Sequence, residues 1–296
     1  MSEPCPISIL IPAKNEAANI RDCIESARFA DEIVVVDSAS VDGTQEIARS
    51  LGAHVVNFTW NGQHPKKKNW ALAQVPWKHE WVFILDADER ITPELAAELT
   101  AIAAMPVPPC EGYYVNRRFW FLDGWLMHCG YYPSWNLRFF RHQVGRYEQF
   151  TGVDDTQSGD NEVHEHVILN GRSGHLRHEM EHYAFPSIAI WVEKHNRYSN
   201  WEARLTESTD GTAEATQAAI TPSLALKRRL KKMASRLPFR PTLRFVYHYL
   251  LRAGFLDGYR GYVFCRLMAF YEFMSVTKAA ELRRTQSPPA PFIPIR

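Results

Sequence analysis

Short apolar runs alternate with helix-like segments throughout the first hundred residues, and this alternation limits the chain to few folds. Branched apolar and aromatic residues dominate four runs: ISILIP at 7–12, EIVVVD at 32–37, HVVNF at 54–58 and WVFILD at 81–86. Such runs are typical of buried β-strands. Because a strand that is apolar along its length must be covered on both faces, the pattern predicts an α/β fold with a mostly parallel sheet between helices.

The intervening helices carry recognisable boundary signals. Asn15 is expected to cap the first helix, whose apolar residues recur at helical spacing from Ile20 onward. Gly52 is expected just past the end of the second helix, where glycine is favoured. Thr92 and Pro93 fit the cap and the first position of the helix that follows the fourth strand.

Polar residues follow three of the four predicted strands at the point where each strand ends. PAKNE follows the first strand, DSAS the second and DADE the fourth. In parallel sheets the carboxyl ends of the strands meet at one edge, where ligands bind. The chain has neither a GxGxxG nor a GxxxxGK[ST] phosphate loop, which disfavours a dinucleotide dehydrogenase or a P-loop enzyme. The strand ends therefore predict a binding site of another class.

Asp86 and Asp88 are spaced so that both carboxylates can face one point at the end of the fourth strand. Carboxylate oxygens suit Mg²⁺ or Mn²⁺, which commonly share their coordination with substrate phosphates. We therefore expect a divalent ion that carries a diphosphate group. The alternative is an acidic loop that only caps the following helix, since carboxylates stabilise helix N-termini, and Glu89 fits that role.

The composition excludes several classes of protein. The formal net charge of +1 does not favour binding to nucleic acid, and the five cysteines have no CxxC spacing, so we expect reduced thiols in a cytoplasmic protein. The first residues, MSEPCPISIL, lack the basic and long apolar regions of a signal peptide. Since no run of about 18 apolar residues occurs, no transmembrane helix is expected.

Four stretches, taken in order, resemble glycosyltransferase family 2: ISILIPAKNEAANIRDCIESA, EIVVVDSASVDGTQEIA, KKKNWAL and WVFILDADERITPEL. Three later stretches, WNLRFFRH, EVHEHV and HYAFPSIAIWVEKHNRYSNWEA, resemble one branch of that family, the lipopolysaccharide-core β-1,4-glucosyltransferase-like enzymes. The resemblance covers roughly residues 6–205. It implies a GT-A fold with a Rossmann-like, mostly parallel sheet.

The resemblance implies a nucleotide pocket at the ends of the first two strands. Pro12, Ala13 and Glu16 would line this pocket, and Asp37 would accept a hydrogen bond from the base. Lys68 would meet the base or the diphosphate. Three lysines at the start of a helix oppose the helix dipole, which indicates an anion nearby, although a solvated helix start is the alternative.

The resemblance also implies a metal site in which Asp88 binds the ion, Asp86 contacts the ion or the ribose, and His182 completes the shell. His182 alternatively hydrogen-bonds a backbone carbonyl. HEMEH, residues 178–182, matches the HExxH signature of zinc hydrolases, which requires a helix that places both histidines on one face. Few apolar positions and the nearby Pro186 disfavour such a helix, so a zinc hydrolase is kept as an alternative function.

An inverting transfer needs a base that takes the proton of the acceptor hydroxyl, and a carboxylate is a common choice. The resemblance places this base in NEVHEHV, residues 161–167, and Glu165 is the residue expected to act. The alternatives are Glu162, His164 and His166. A purely structural role for Glu165, as an ion-pair partner of Arg138 or Arg141, is also open.

Aromatic residues are dense between residues 112 and 150, with arginines interspersed. Aromatic rings suit stacking on sugar rings, and arginines suit phosphate or carboxylate groups of an acceptor. We expect Trp135 and Arg138 near the acceptor. The alternative is that many of these aromatic residues belong to the core.

Changes in composition divide the chain into a catalytic domain at 1–205, a linker at 206–223, a basic amphipathic helical region at 224–284 and a disordered tail at 285–296. Between residues 215 and 256 there is no acidic residue, whereas nine are Lys or Arg. Such a region suits an anionic membrane surface. The alternative is a helical pair that packs on the catalytic domain.

Taken together, the residues and the resemblance predict an inverting glycosyltransferase that depends on Mg²⁺ or Mn²⁺. It is expected to move a hexose from a nucleotide sugar, with UDP as the expected nucleotide, to a lipid-linked or lipopolysaccharide-type acceptor. The expected location is the cytoplasm, peripherally on the inner face of the cell membrane. Two alternatives remain: the zinc hydrolase, and a non-catalytic module that binds a nucleotide sugar at a membrane surface.

Overall fold

The first half of the central sheet contains the four predicted strands, all parallel. A computed structural model describes residues 5–148, 166–207 and 239–286. The strands are β1 (Cys5–Ala13), β2 (Ala30–Asp37), β3 (His54–Asn57) and β4 (Trp81–Ile84). They lie in the order β3-β2-β1-β4. The predicted α/β class is therefore confirmed, with each strand within a few residues of its predicted position.

The second half of the sheet is mixed and was not predicted in detail. Its strands are β5 (Glu89–Ile91), β6 (Gly112–Phe121), β7 (Gly124–Trp125), β8 (Trp135–Arg141) and β11 (Ser173–His182). The order continues from β4 as β8-β6-β11-β5, and β7 pairs with β6. Because β8 runs antiparallel to both β4 and β6, the strands β6 and β11 again run parallel to β4. A separate hairpin pairs β9 (Gly145–Tyr147) with β10 (Val167–Leu169).

This topology brings many chain segments to one edge of the sheet, which we call the rim. The carboxyl ends of β1, β2, β4, β6 and β11 lie there, as does the amino end of β8. The antiparallel strand β5 begins at the rim, where Glu89 pairs with His182 of β11. Residues that are far apart in the sequence can therefore meet at this edge.

The helices cover both faces of the sheet and continue beyond it. They are α1 (Ile20–Ser26), α2 (Thr44–Ser50), α3 (Lys67–Gln74), α4 (Pro93–Ala103), α5 (Ile188–Glu207), α6 (Arg240–Val246) and α7 (Gly258–Gln286). A π-helical turn, Tyr247–Leu251, and a 3-10 turn, Gly254–Asp257, connect α6 to α7. We call the unit from Phe239 to Gln286 the C-terminal hairpin.

Two of the predicted helix boundaries are confirmed and one is wrong. The Thr92 hydroxyl accepts the Leu95 N–H at 3.2 Å, and Gly52 follows α2 with a φ of +86°. Asn15, however, does not cap α1, which begins only at Ile20. Its φ of +55° turns the chain, and its side-chain oxygen accepts the Val41 N–H at 3.0 Å instead. A short polar side chain that can adopt this conformation serves a loop as readily as a cap.

The core consists of two apolar layers, one on each face of the sheet. Ile7, Ile9 and Ile11 of β1 face the layer that contains α1 and α4. Leu10 faces the opposite layer, which α3 covers. All five cysteines are free thiols, as expected.

A third apolar cluster joins the C-terminal hairpin to the catalytic part of the chain. Phe264 of α7 is fully buried, and its ring centroid lies 5.6 Å from Phe119, 5.4 Å from Phe121 and 4.6 Å from Tyr131. Burial of an aromatic ring among three others contributes several kcal/mol, on the order of 3–5 when it is deleted. The described part of the hairpin therefore packs on the catalytic part. The sequence left such a packed helical pair open as the alternative to a membrane-binding region.

Several boundaries predicted for the C-terminal third remain predictions. The linker from residue 208 and the basic stretch up to residue 238 lie outside the described residues. Helix α7 extends two residues into the segment expected to be disordered. Within the described ranges, no helix combines the length and the apolar character needed to cross a bilayer.

His195 of α5 is buried in an aromatic cage at the junction with α7. Its ring stacks on Trp191 with centroids 3.6 Å apart, and Tyr271 of α7 lies edge-on at 5.0 Å. Its Nδ1 lies 2.9 Å from the Trp191 carbonyl oxygen, so this nitrogen must carry the proton. Burial lowers the pKa of His195 from 6.5 to about 4, against a smaller opposing effect of that hydrogen bond.

This pKa predicts a loss of stability on mild acidification. Between pH 6.5 and about 4 the unfolded chain binds a proton at His195 that the folded chain does not. The contribution of the neutral His195 to the unfolding free energy is therefore complete above pH 6.5 and decreases as the pH is lowered. We expect His195→Asn, which keeps an N–H donor but does not titrate, to flatten the pH dependence of the unfolding free energy by up to ~1.4 kcal/mol per pH unit. Urea unfolding at five pH values measures this. Parallel curves for the two proteins would contradict a buried, neutral His195.

Candidate active site

The loops after β1 and β2 are joined by side-chain hydrogen bonds. Ser40 accepts the Asn15 N–H at 2.8 Å, Thr44 accepts the Glu16 N–H at 2.8 Å, and Asp42 accepts the N–H of residue 17 at 2.9 Å. With the bond from Val41 to Asn15 described above, four contacts hold the two loops together. This part of the predicted nucleotide pocket is therefore preorganised.

The predicted pocket residues surround these loops. Pro12 and Ala13 are buried at the end of β1, and Asp37 is fully buried at the end of β2. The carboxylate of Asp37 accepts the Ser40 N–H at 2.8 Å and the Gln45 amide at 2.6 Å. Asp37 thus stabilises the loop that follows β2. Its expected hydrogen bond with the base of the nucleotide remains a prediction.

Glu16 is half-buried beside the two aspartates of DADE. Burial raises the pKa of Glu16; a hydrogen bond from Asn19 opposes this effect, and the nearby charge of Asp88 adds to it. The sequence predicted this proximity from the shared edge of the sheet.

The three lysines at the start of α3 are buried, which contradicts the alternative of a solvated helix start. Lys66, Lys67 and Lys68 expose only 2%, 1% and 6% of their surface. Lys67 donates to the Ala13 carbonyl oxygen at 2.8 Å, so it ties α3 to the end of β1. Lys68 lies 2.9 Å from Oδ1 of Asp86. A buried cation requires a partner, and for Lys68 that partner is the first aspartate of DADE.

Asp86 is held by cations on both of its oxygens. Lys68 contacts Oδ1, and a guanidinium nitrogen of Arg138 lies 2.5 Å from Oδ2. Burial alone would raise the pKa of Asp86, but the charges of Arg138 and Lys68 outweigh it and hold this pKa well below its usual range. Asp86 is therefore ionised at any physiological pH.

Glu89 does more than the helix capping expected of it. It is fully buried, it lies 2.9 Å from Arg138 and 3.3 Å from Arg117, and it accepts the Asp86 N–H at 3.0 Å. Since α4 begins at Pro93 with Thr92 as its cap, Glu89 lies too early in the chain to serve that helix. The capping interpretation is therefore wrong. The sequence alone could not show that Arg117 and Arg138, which are distant along the chain, lie beside Glu89.

Asp88 lies apart from this network and faces His182 and Lys194. Nε2 of His182 is 3.6 Å from Oδ1 of Asp88, and Nζ of Lys194 is 3.5 Å from Oδ2. Burial would raise the pKa of Asp88, but His182 first and Lys194 second lower it well below the usual range. The expected proximity of Asp88 and His182 is therefore present. Lys194 was missed, because nothing near it in the sequence distinguishes it from other helix lysines.

The three expected metal ligands do not form a single cluster. Within the described ranges, no group of three or more His, Cys, Asp and Glu side chains is arranged to bind a metal. Asp86 is engaged by Lys68 and Arg138, which leaves Asp88 and His182. An ionised carboxylate beside an imidazole still fits a divalent ion that takes its remaining ligands from phosphate and water, as Mg²⁺ commonly does.

The HEMEH motif does not form a zinc site. Residues 178–182 lie in strand β11 rather than in a helix. Nδ1 of His178 lies 2.9 Å from Glu98 on α4, whereas His182 faces Asp88 at the rim. Residues four apart on a strand are separated by about 13 Å, so both histidines cannot bind one ion. The zinc-hydrolase alternative is therefore wrong.

The two residues expected near the acceptor differ in exposure. Trp135, the first residue of β8, is 41% exposed at the rim, and its ring meets His175 edge-on at 4.8 Å. Arg138 is 6% exposed and is engaged with Asp86 and Glu89. Their contacts with an acceptor remain predictions.

The candidate base lies outside the described residues, but both ends of its segment are placed. Glu165, Glu162 and His164 fall within residues 149–165, of which nothing is described. His166, next in the chain, lies 3.4 Å from Glu148. Tyr147 exchanges two hydrogen bonds of 2.8 Å with Asn69 of α3, adjacent to Lys68. Of the described residues that flank the segment, Tyr147 therefore lies beside the first turn of α3, and His166 lies beside Glu148.

The buried network yields a stability prediction. Glu89→Gln removes the charge that the buried guanidinium of Arg138 and the partly buried one of Arg117 face, and breaking a buried ion pair costs roughly 3–5 kcal/mol. The matched control is Glu25→Gln, because Glu25 pairs with Arg28 at 2.8 Å with both side chains exposed. That change is expected to cost less than about 1 kcal/mol. Chemical denaturation measures both, and equal losses would contradict the network.

Comparisons with known proteins identify the family of this chain. The model of the family "Glycosyl transferase family 2" matches residues 8–164. The lipopolysaccharide core biosynthesis glycosyltransferase LpsC of Rhizobium meliloti is 32% identical over 212 residues, which cover 67% of this chain and 70% of LpsC. An uncharacterized glycosyltransferase of Rickettsia bellii is 28% identical over 283 residues, covering 93% of this chain and 86% of that protein.

Among solved structures, the chain is similar to the mannosyltransferase PcManGT from Pyrobaculum calidifontis in complex with GDP-Man and Mn²⁺. The TM-score is 0.45 at 17% identity, with 94% of this chain and 88% of that chain covered. The matches of the family model and of LpsC are the ones that decide the family. The chain belongs to glycosyl transferase family 2 and is a glycosyltransferase with an α/β fold.

Proposed function

We propose that this enzyme is an inverting glycosyltransferase that moves a hexose from a nucleoside-diphosphate sugar to a lipid-linked or lipopolysaccharide-type acceptor. The observation that carries the proposal is the pairing of ionised Asp88 with His182 and Lys194 beside the Asp86 network. Such a group of charges suits a diphosphate and its counter-ion. UDP is the proposed nucleotide. The name of the relative LpsC supports an acceptor of the lipopolysaccharide class.

The donor would bind across the loops after β1, β2 and β4. Pro12, Ala13 and Glu16 would line the nucleotide, and Asp37 would accept a hydrogen bond from the base. Lys68 would approach the base or the diphosphate from the start of α3, where its ammonium already lies 2.9 Å from Asp86. Because four hydrogen bonds already join the first two loops, little loop entropy remains to be lost when the nucleotide binds.

The charges at the rim suit a leaving group that becomes more anionic. Lys68, Arg138, Arg117 and Lys194 contribute four cations beside the acidic groups of Asp86, Asp88, Glu89 and Glu16. When the carbon–oxygen bond of the donor breaks, the diphosphate gains negative charge, which fixed cations in a partly dry site stabilise. Lys194 lies where it could contact either this group or Asp88.

Asp88 and His182 would hold a Mg²⁺ or Mn²⁺ ion, with Asp86 contacting the ribose. Bound there, the ion would neutralise the diphosphate as a Lewis acid. The lowered pKa of Asp88 keeps its carboxylate charged for that purpose. Nε2 of His182 is turned toward Asp88, so this nitrogen would be the one that binds the ion, in exchange for any proton that it carries.

Glu165 would act as the base. It would take the proton of the acceptor hydroxyl while that oxygen attacks the anomeric carbon from the face opposite the diphosphate, which inverts the configuration. The described residues before its segment support this role, since Tyr147 hydrogen-bonds Asn69, next to Lys68. Trp135 would stack on a sugar ring of the acceptor.

The proposed location is the inner face of the cell membrane, with the protein attached peripherally. The basic composition of residues 215–256 and the class of acceptor support it. No observation favours the alternative of a non-catalytic module over an enzyme.

Asp88→Asn tests the proposal most directly among the substitutions. We expect kcat/KM to fall by about 10²–10³-fold, because an amide neither carries the charge nor binds a divalent ion as a carboxylate does. UDP release from UDP-hexoses, with Mn²⁺ and a lipopolysaccharide-type acceptor, measures it. The matched control is Asp123→Asn on the exposed turn between β6 and β7, which should stay within about twofold of the wild type. Normal turnover by Asp88→Asn would refute the metal assignment.

A second substitution separates the base from donor binding. We expect Glu165→Gln to bind the nucleotide sugar with unchanged affinity and to lose transfer by about 10²–10⁴-fold, the usual contribution of general-base catalysis. Glu162→Gln is the matched control in the same segment and should retain transfer. If the two variants exchange these behaviours, Glu162 is the base. If both transfer normally, the base lies elsewhere in the chain.

A further inference from the structure

The C-terminal hairpin is apolar on two opposite sides. Its inner side includes Phe245, Tyr249 and Val263, which pack against the third apolar cluster. Its outer side carries a second set of large apolar residues that remain exposed. A helix that is apolar all round is stable in water only when both sides are covered. The catalytic part covers one side, so the outer side requires another occupant.

The outer side is continuous, and we call it the outer face. Along α6 and the following π-helical turn, apolar residues recur at spacings of three and four, the period of one helix face. The start of α7 continues it. Exposure reaches 81% at Phe239, 74% at Leu251 and 79% at Tyr259. The six defining residues are Phe239, Leu243, Leu250, Leu251, Leu256 and Tyr259.

The charges around the outer face are positive, and its acidic neighbours point inward. Arg252 follows Leu251 in the chain, and Arg266 lies two helical turns after Tyr259 on α7; both are exposed. Glu272 is buried and pairs with Arg240 at 2.5 Å, while Asp257 accepts the His128 N–H at 2.9 Å. In the sequence just before Phe239, residues 227–236 add six Lys or Arg and no acidic residue. An apolar face with a cationic border is complementary to anionic head groups above hydrocarbon.

The same charges argue against a second copy of this chain as the occupant. A symmetric dimer through the outer face would bring two cationic borders together, which costs free energy by like-charge repulsion. The segment at 208–238 would add further positive charge to the same border if it covered the face. A lipid surface instead supplies both the apolar medium and the opposite charge.

We propose that the outer face inserts into the interfacial layer of an anionic bilayer and thereby attaches the enzyme to it. This inference specifies which surface attaches the protein at the peripheral location given under the proposed function. It rests on that part of the proposed function only, because membrane attachment requires no sugar transfer. Helix α5 connects the two regions: its Lys194 faces Asp88, and Tyr271 of α7 hydrogen-bonds Glu202 at 2.5 Å. The face and the donor site therefore belong to one packed unit.

The test uses the full chain and extruded vesicles of phosphatidylcholine with or without 30% phosphatidylglycerol. The wild type is expected to float with the anionic vesicles, and less so as salt rises, because screening weakens the cationic border. The double variant Leu250→Ser, Leu251→Ser should bind about tenfold or more weakly, since two large apolar side chains no longer enter the lipid. Its Tm and its monomer mass should equal those of the wild type.

The matched control is Met105→Ser, Val107→Ser, which removes two exposed apolar residues from another surface. It should bind vesicles as the wild type does. Failure of the wild type to float, or equal binding by the Leu250/Leu251 variant, would overturn the inference. A lower Tm of that variant would show instead that the chain covers the face itself, and a change from dimer to monomer would show a second copy. Flotation without sugar transfer would refute the proposed function alone, whereas transfer to soluble acceptors without flotation would refute only this inference.

Discussion

The contact between Arg138 and the carboxylates of Asp86 and Glu89 is the interaction on which the site depends. Arg138 belongs to β8, which pairs with β4 in the antiparallel direction, and from this strand its side chain contacts both acidic residues. A buried guanidinium needs such partners, and its charge, together with that of Lys68, outweighs the effect of burial and keeps Asp86 ionised. Because Asp86 is committed to Arg138 and Lys68, Asp88 is left to face His182 and Lys194. One buried ion cluster thus engages Asp86, whereas Asp88 lies outside it, beside His182 and Lys194.

The sequence was sufficient for the first half of the sheet because its signals are local. The period and composition of the strand runs, the glycine after α2 and the Thr92 cap depend on residues within one or two turns of one another. Asn15 shows the limit of local signals, since a residue that favours caps also favours tight turns. The carboxyl ends of the strands were also predictable, because parallel strands place them at one edge.

The contacts of Arg117, Lys194 and Glu89 at the site could not be predicted from local sequence signals. Arg117, Lys194 and the true role of Glu89 depend on contacts between β5, β6, β8 and α5, whose order in the sheet does not follow the chain. The outer face was ambiguous for a related reason. In a hairpin that is apolar on both sides, the spacing of the apolar residues does not indicate which side packs on the catalytic part. The structure shows the packed side, since Phe264 lies among Phe119, Phe121 and Tyr131.

The central claim is that the rim binds a nucleoside diphosphate through a divalent ion at Asp88. A thermal unfolding scan with UDP, GDP, CDP and dTDP, each with and without Mn²⁺, tests it in one experiment. A ligand at a hundred times its dissociation constant stabilises a folded protein by about 2.7 kcal/mol, which shifts Tm by several degrees. We predict that UDP raises Tm only when Mn²⁺ is present. Stabilisation by none of the four nucleotides with Mn²⁺ would contradict the donor site at the rim.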